Sequence, residues 1–115
     1  MMTLMIVDDN PAMRGLIKSI VCDLADLISE CSDGSQAVEA YAAPQPDWVL
    51  MDIEMNVLDG LSATRQIKAA FPDARIVIVS EYDHPDWRDE ARRAGAVRYV
   101  LKENLSALRG ILKLP

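Results

Sequence analysis

Strand and helix candidates alternate five times along this 115-residue chain, which predicts an α/β fold. The expected architecture is a doubly wound, five-stranded parallel sheet in the order 2-1-3-4-5, with helices on both faces. Two further observations support it. Leu4-Met5-Ile6-Val7, Trp48-Val49-Leu50-Met51 and Ile76-Val77-Ile78-Val79 are unbroken apolar runs, too short for helices. Strands covered on both faces have that character. Leu27-Ile28-Ser29-Glu30-Cys31 is mixed in polarity, as suits an edge strand.

The first strand runs straight into Asp8-Asp9, after which Asn10 can cap a helix and Pro11 suits its first turn. Met13, Leu16, Ile17, Ile20, Val21 and Leu24 follow at helical spacing and predict a wide apolar face. Past the edge strand, Ser32-Asp33-Gly34 signals a turn, and Ala37, Val38, Tyr41 and Ala42 mark a short helix. Ala43-Pro44-Gln45-Pro46-Asp47 ends it and leads into the central strand, which stops at Asp52. An irregular loop closes in Asp59-Gly60; Leu61, Thr64, Ile67 and Phe71 outline a third helix, stopped by Pro72. The fourth strand ends in Ser80. The segment from Asp86 to Ala94 reads as a thinly apolar helix with Trp87, Ala91 and Ala94 facing inward, and Gly95 closes it. Tyr99-Val100-Leu101 is the last strand, ended by Lys102, and Leu105, Leu108, Ile111 and Leu112 form the final helix.

Composition fits one domain over residues 1–115, with 50% hydrophobic and 26% charged residues. A formal net charge of −6 argues against direct binding of nucleic acid, which needs a basic face. No apolar run approaches the roughly 20 residues of a membrane span, and no secretory signal is visible. Cys22 and Cys31 fit no metal-binding spacing and read as reduced, largely buried thiols of a cytoplasmic protein. His84 reads as a solvated loop residue and Trp48 as packing, while Trp87 is left between core and a partner surface. Asp89 and Arg93 are spaced for an i,i+4 pair.

In the 2-1-3-4-5 order the first and third strands are neighbours at the switch point, so ligands bind beyond their carboxyl ends. Asp8, Asp9 and Asp52 then meet in one crevice, flanked by Ser80 and Lys102 from the next two strands. Three converging carboxylates repel one another, so the site takes up protons or a cation. An all-oxygen donor set with room for water suits Mg2+. With the metal present, Asp52 becomes a nucleophile toward a phosphoryl group. The Lys102 ammonium and Ser80 hydroxyl are suited to hold the spread charge of phosphoryl transfer.

The chain resembles the receiver domains of two-component response regulators, the flavodoxin-like, CheY-like superfamily. The resemblance rests on Ile6-Val7-Asp8-Asp9-Asn10, Leu50-Met51-Asp52-Ile53-Glu54-Met55 with Asp59-Gly60, Ile78-Val79-Ser80, and Tyr99-Val100-Leu101-Lys102. It implies that Asp52 is the phosphoacceptor for a histidine kinase phosphohistidine. It further implies that Asp9 ligates Mg2+ directly, Asp8 mainly through water, and Glu54 through its backbone carbonyl. Ser80 and Lys102 would hold phosphoryl oxygens, and Tyr99 would be the switch residue that turns inward as Ser80 moves. Implied partners are a cognate sensor histidine kinase or phosphotransfer protein, an output domain or partner protein reached through the surface of the fourth helix, the last strand and the final helix, and a second copy on phosphorylation. Three positions depart from the family pattern: Asn56 where Pro is usual, Glu81 where a small residue is common, and Glu103 where Pro often follows the lysine. They bear on rates and leave every reactive group in place.

Two other readings compete with this phosphorylation-controlled, non-enzymatic switch. A Mg2+-dependent phosphatase of the haloacid dehalogenase type also uses a strand-end Asp, but needs a second Asp two residues on, where this chain has Glu54. A receiver-like scaffold working without phosphorylation is favoured only by Glu81.

Overall fold

A computed structural model describes residues 1–115, and its sheet shows why the apolar runs stop where they do. The strands are β1 (Thr3–Val7), β2 (Leu27–Cys31), β3 (Trp48–Met51), β4 (Ile76–Ser80) and β5 (Arg98–Leu101). All pair in parallel, in the order β2-β1-β3-β4-β5. The helices are α1 (Pro11–Val21), α2 (Ala37–Ala42), α3 (Gly60–Ala70), α4 (Pro85–Ala94) and α5 (Ala107–Leu112). The predicted architecture and strand order are therefore those observed.

Successive side chains of a strand point to opposite faces, and the three central strands divide accordingly. Met5, Val7, Val49, Met51, Ile76 and Ile78 pack on one face with Tyr41 of α2, Leu61 and Ile67 of α3 and Ala91 of α4. Leu4, Ile6, Trp48, Leu50, Val77 and Val79 pack on the other with Ile17 and Val21 of α1 and Leu108 and Leu112 of α5. Leu50, Ile67, Ile78 and Leu108 are at most 1% exposed. Each such side chain contributes about 1.5–3 kcal/mol by leaving water. Register then aligns the strand ends: Val7 is opposite Met51, Met51 opposite Ile78, and Ser80 opposite Leu101. Asp8, Asp52 and Lys102, each one residue past its strand, and Ser80, the last residue of β4, open onto one rim.

Several local expectations are corrected. Helix α1 stops at Val21 and a 3-10 turn covers Cys22–Leu24, so Leu24 lies outside it. Leu16 is 48% exposed, because the buried stripe narrows to Ile17 and Val21. Cys22 is exposed, one residue and about 100° of rotation past buried Val21, whereas Cys31 is buried; both thiols are free. Leu105 precedes α5, behind a 3-10 turn at Lys102–Asn104, yet is buried as expected.

Helix α4 begins at Pro85, one residue before the expected Asp86. His84 is exposed but caps the helix, its Nδ1 accepting the Asp86 N–H at 3.1 Å. Gly95 ends the helix at φ 110°, a left-handed conformation that glycine adopts without strain. Asp89 pairs with Arg92 rather than Arg93, and Arg93 pairs with Glu90, both at i,i+3. Ala91 and Ala94 are buried as expected. Trp87, 36% exposed, lies flat on Tyr82 with ring centroids 4.7 Å apart. Trp48 is core packing, with the Arg75 guanidinium 4.1 Å above its ring. No helix is long and apolar enough to cross a membrane.

Candidate functional site

Each reactive side chain is held by the end of its strand. The Asp8 N–H donates to the Cys31 carbonyl at 3.1 Å and the Asp52 N–H to the Val7 carbonyl at 2.9 Å. The parallel ladder thus extends one step past the apolar residues, carrying Asp8 and Asp52 to the rim. They are 1% and 6% exposed. The Asn10 N–H donates to Asp8 Oδ1 at 2.8 Å. Asn10 in turn caps α1, its side-chain oxygen accepting the Ala12 and Met13 N–H groups. The loop after Asp52 returns to α3 through Gly60, whose N–H donates to the Ile53 carbonyl at 2.7 Å. A Cβ at Gly60 would lie 1.7 Å from the Asp52 carbonyl oxygen, so only glycine allows that return.

Carboxylate oxygens of Asp8, Asp9 and Asp52 lie within 4.8 Å of one another. The Lys102 Nζ is 3.1 Å from Asp52 Oδ1 and 3.4 Å from Asp8 Oδ2. The second distance suits an ion pair, but no donor is aligned on Asp8 Oδ2, which stays buried without a hydrogen bond. One ammonium thus pairs with two of the three carboxylates. Burial, and then the Asp8 charge, push the Asp52 carboxyl up to about 6, and Lys102 offsets this only in part. Burial works against the charge on Lys102, but Asp52 and Asp8 outweigh it and raise its affinity for the proton.

Ser80 is 1% exposed and its Oγ accepts the Tyr82 N–H at 3.0 Å. Tyr99 is half-buried at the sheet edge; its hydroxyl donates to the Tyr82 carbonyl at 2.6 Å, and the Arg88 guanidinium lies 4.8 Å from its ring. Glu54 is exposed, and its carboxylate accepts the Tyr82 hydroxyl proton. Glu81 and Asn56, both exposed, line the mouth of a cleft of about 480 Å³ with Asp8, Asp9, Asp52, Ser80 and Lys102. All five residues expected to meet do so.

Two contributors were not anticipated. Tyr82 spans the cleft wall, touching Ser80 and Tyr99 through its backbone and Glu54 and Trp87 through its side chain. An aromatic residue two places past a strand-end hydroxyl is the signal that marks it. Arg14 donates to the Asp8 carbonyl at 2.6 Å, and its place one turn after the Asn10 cap points it back at the strand end.

This arrangement can concentrate positive charge, present a carboxylate nucleophile and hold an oxyanion between Lys102 and Ser80. The chain matches the family described as response regulator receiver domain over residues 4–113. It is 37% identical over 100 residues to the chemotaxis protein CheY of Bacillus subtilis, covering 86% of this chain and 83% of that protein. Among solved structures it is similar to a LuxR-family two-component response regulator from Aurantimonas sp. SI85-9A1. The TM-score there is 0.85 at 29% identity, over 96% of this chain and 84% of that one. The chemotaxis protein CheY4 of Vibrio cholerae shares the fold, with a TM-score of 0.89 at 20% identity over 98% and 97% of the two chains.

Proposed function

The chain belongs to the receiver domains of two-component response regulators, and we propose that residues 1–115 form one such unit, phosphorylated on Asp52 in a Mg2+-dependent reaction. The observation that carries this reading is the convergence of three carboxylates on one cleft whose only facing ammonium is Lys102. Receiver domains are signalling modules rather than enzymes, and the chemistry proposed for Asp52 serves that role.

The residues present fit Mg2+. The donors are all oxygen, and Asp8 Oδ2 is buried with no hydrogen-bond donor, the state of an oxygen that a cation or its bound water would satisfy. Asp9, Asp52 and the Glu54 carbonyl would hold the ion directly, and Asp8 through water. When bound, Mg2+ supplies positive charge that keeps Asp52 ionised and offsets the charge of the phosphoryl oxygens.

An Asp52 carboxylate oxygen forms the new P–O bond as the P–N bond of a donor phosphohistidine breaks. The electron pair leaves with the imidazole nitrogen, which takes up a proton. The Lys102 ammonium and the Ser80 hydroxyl bind the equatorial oxygens of the transferring group. Ser80 Oγ accepts the Tyr82 N–H while its own O–H is left to donate to a phosphoryl oxygen. Movement of Ser80 toward the phosphate would therefore draw on Tyr82, whose carbonyl is the acceptor for Tyr99. Ser80 and Tyr99 are thus linked through one residue, which supports a switch that reshapes the α4-β5-α5 surface. The partners of this reading are a cognate sensor histidine kinase or phosphotransfer protein, and an output domain, partner protein or second copy, all in the cytoplasm.

Intact-mass measurement after incubation with Mg2+ and acetyl phosphate tests it. Wild type is expected to gain one phosphoryl group and Asp52→Asn none; equal incorporation in both would overturn the assignment.

A further inference from the structure

Beyond the cleft lining, one largely buried cation touches the frame of the site. Arg14, in the second turn of α1, has a side chain only 17% exposed. Its Nη1 donates to the Asp8 carbonyl oxygen at 2.6 Å and its Nε to Glu30 Oε1 at 3.0 Å. Lys18, one turn further on, donates to Glu30 Oε2 at 2.8 Å but makes no bond to the turn carrying Asp8 and Asp9. Lys18 first, and then Arg14, hold the Glu30 carboxyl below its ordinary range, so the anchor of this network is an anion near neutral pH.

The Asp8 carbonyl belongs to the peptide unit that joins Asp8 to Asp9. Because that unit is planar, the direction of its carbonyl also sets how the Asp9 Cα is presented to the cleft. The Asp8 carboxylate has its own restraint in the Asn10 N–H. The half-buried Asp9 carboxylate makes no hydrogen bond to the protein, so its aim depends on the backbone.

We propose that Arg14 is a positioning residue for the cation site, holding the Asp8–Asp9 peptide so that Asp9 faces the metal. The proposal rests on the reading of the cleft as a Mg2+ site. Two effects of Arg14 on a bound cation have opposite signs. As a charge, a guanidinium beside an acidic cluster repels a divalent cation, and its removal would tighten binding. As a support, its removal frees the peptide and weakens binding, by about tenfold on the scale of groups that orient metal ligands. The direction of the change therefore separates the two.

The test is calorimetric titration of Mg2+ into the metal-free wild type, Arg14→Ala, Arg14→Lys and Lys18→Ala, each first checked for native circular dichroism. Arg14→Ala is expected to weaken Mg2+ binding about tenfold. Arg14→Lys should recover part of the loss, since an ammonium reaches one of the two oxygen partners but lacks the planar fork that spans both. Lys18→Ala, which removes a charge from the same network without freeing the carbonyl, should bind as tightly as wild type or slightly tighter. Amide exchange in the metal-free proteins should speed up in Arg14→Ala alone at Asn10, whose N–H is bonded within this turn to Asp8 Oδ1. If Arg14→Ala does not fold, the Arg14→Lys and Lys18→Ala affinities decide the matter by the same signs. Mg2+ binding by the Arg14 variants that is undiminished or tighter would overturn the proposal. A wild type that binds no Mg2+ would overturn the reading of the cleft, and this proposal with it.

Discussion

Replacing Asp52 by Asn in the metal-free protein removes a charge that the fold holds against its preference. The Asp52 carboxyl sits at about 6, against an ordinary value of 3.8, chiefly because it is buried and then because Asp8 is beside it. At about 1.36 kcal/mol per pH unit, that difference comes to about 3 kcal/mol of destabilisation once the group is ionised. That value already counts the 3.1 Å pairing with Lys102; part is lost again in the variant because an amide at position 52 leaves polar groups of the buried cleft without partners. A net gain of about 1–2 kcal/mol at neutral pH is expected. The folded-state value lies above the unfolded one, so wild-type stability is undiminished below pH 3.8 and declines as pH rises toward 6. The advantage of Asp52→Asn should be absent at pH 3.5 and complete by pH 7.5. Urea unfolding of both proteins in chelator at the two pH values measures it. Saturating Mg2+ should then reverse the order, since a ligand at 100 times its dissociation constant adds about 2.7 kcal/mol to the protein that binds it. An Asp52→Asn protein no more stable than wild type at pH 7.5 without metal, or more stable by the same amount at both pH values, would refute the reasoning.

Lys102→Ala and Ser80→Ala remove contacts to phosphoryl oxygens and leave the nucleophile, so both should retain some phosphorylation while losing much of the conformational response. Amide exchange over residues 81–95, with and without a beryllofluoride mimic, checks this, and an undiminished response in Lys102→Ala would contradict it. Glu81 lines the cleft mouth, where a charge about 8 Å from an anionic donor at an effective dielectric of about 40 costs about 1 kcal/mol. Glu81→Ala should therefore speed phosphorylation by acetyl phosphate up to about fivefold at low salt and less at high salt; rates at two ionic strengths measure it. The Thr64 hydroxyl on α3 is buried with no partner, so Thr64→Val should raise stability by about 1 kcal/mol in thermal or urea unfolding.

The sheet was legible because its central strands are covered on both faces, which leaves apolar runs that no exposed element would carry. Once the order 2-1-3-4-5 follows from the alternation, the residues after those runs must share a rim. Asp8, Asp9, Asp52, Ser80 and Lys102 could thus be grouped before any geometry was known. What was not legible depends on rotamers and on contacts distant in sequence. Helical spacing alone could not tell that Asp89 reaches Arg92 instead of Arg93, since both lie within reach on one helix face. Leu16 belongs to the apolar pattern of α1 yet is left exposed, and only Ile17 and Val21 of that helix are fully buried. The Tyr82–Glu54 and Arg14–Glu30 contacts join residues 28 and 16 positions apart. They become visible only when the strand ends are placed side by side.

The residue that carries the phosphoryl group is the most direct mark of Asp52 as phosphoacceptor. An aspartyl phosphate is an acyl phosphate, and borohydride reduces it to homoserine, leaving a mark at the residue that carried it. After incubation with Mg2+ and acetyl phosphate, followed by reduction, digestion and peptide sequencing by mass spectrometry, homoserine is expected at position 52 alone and only when Mg2+ is present. Homoserine at position 8 or 9 in place of 52, or equal labelling of Asp52 without a divalent cation, would contradict the account.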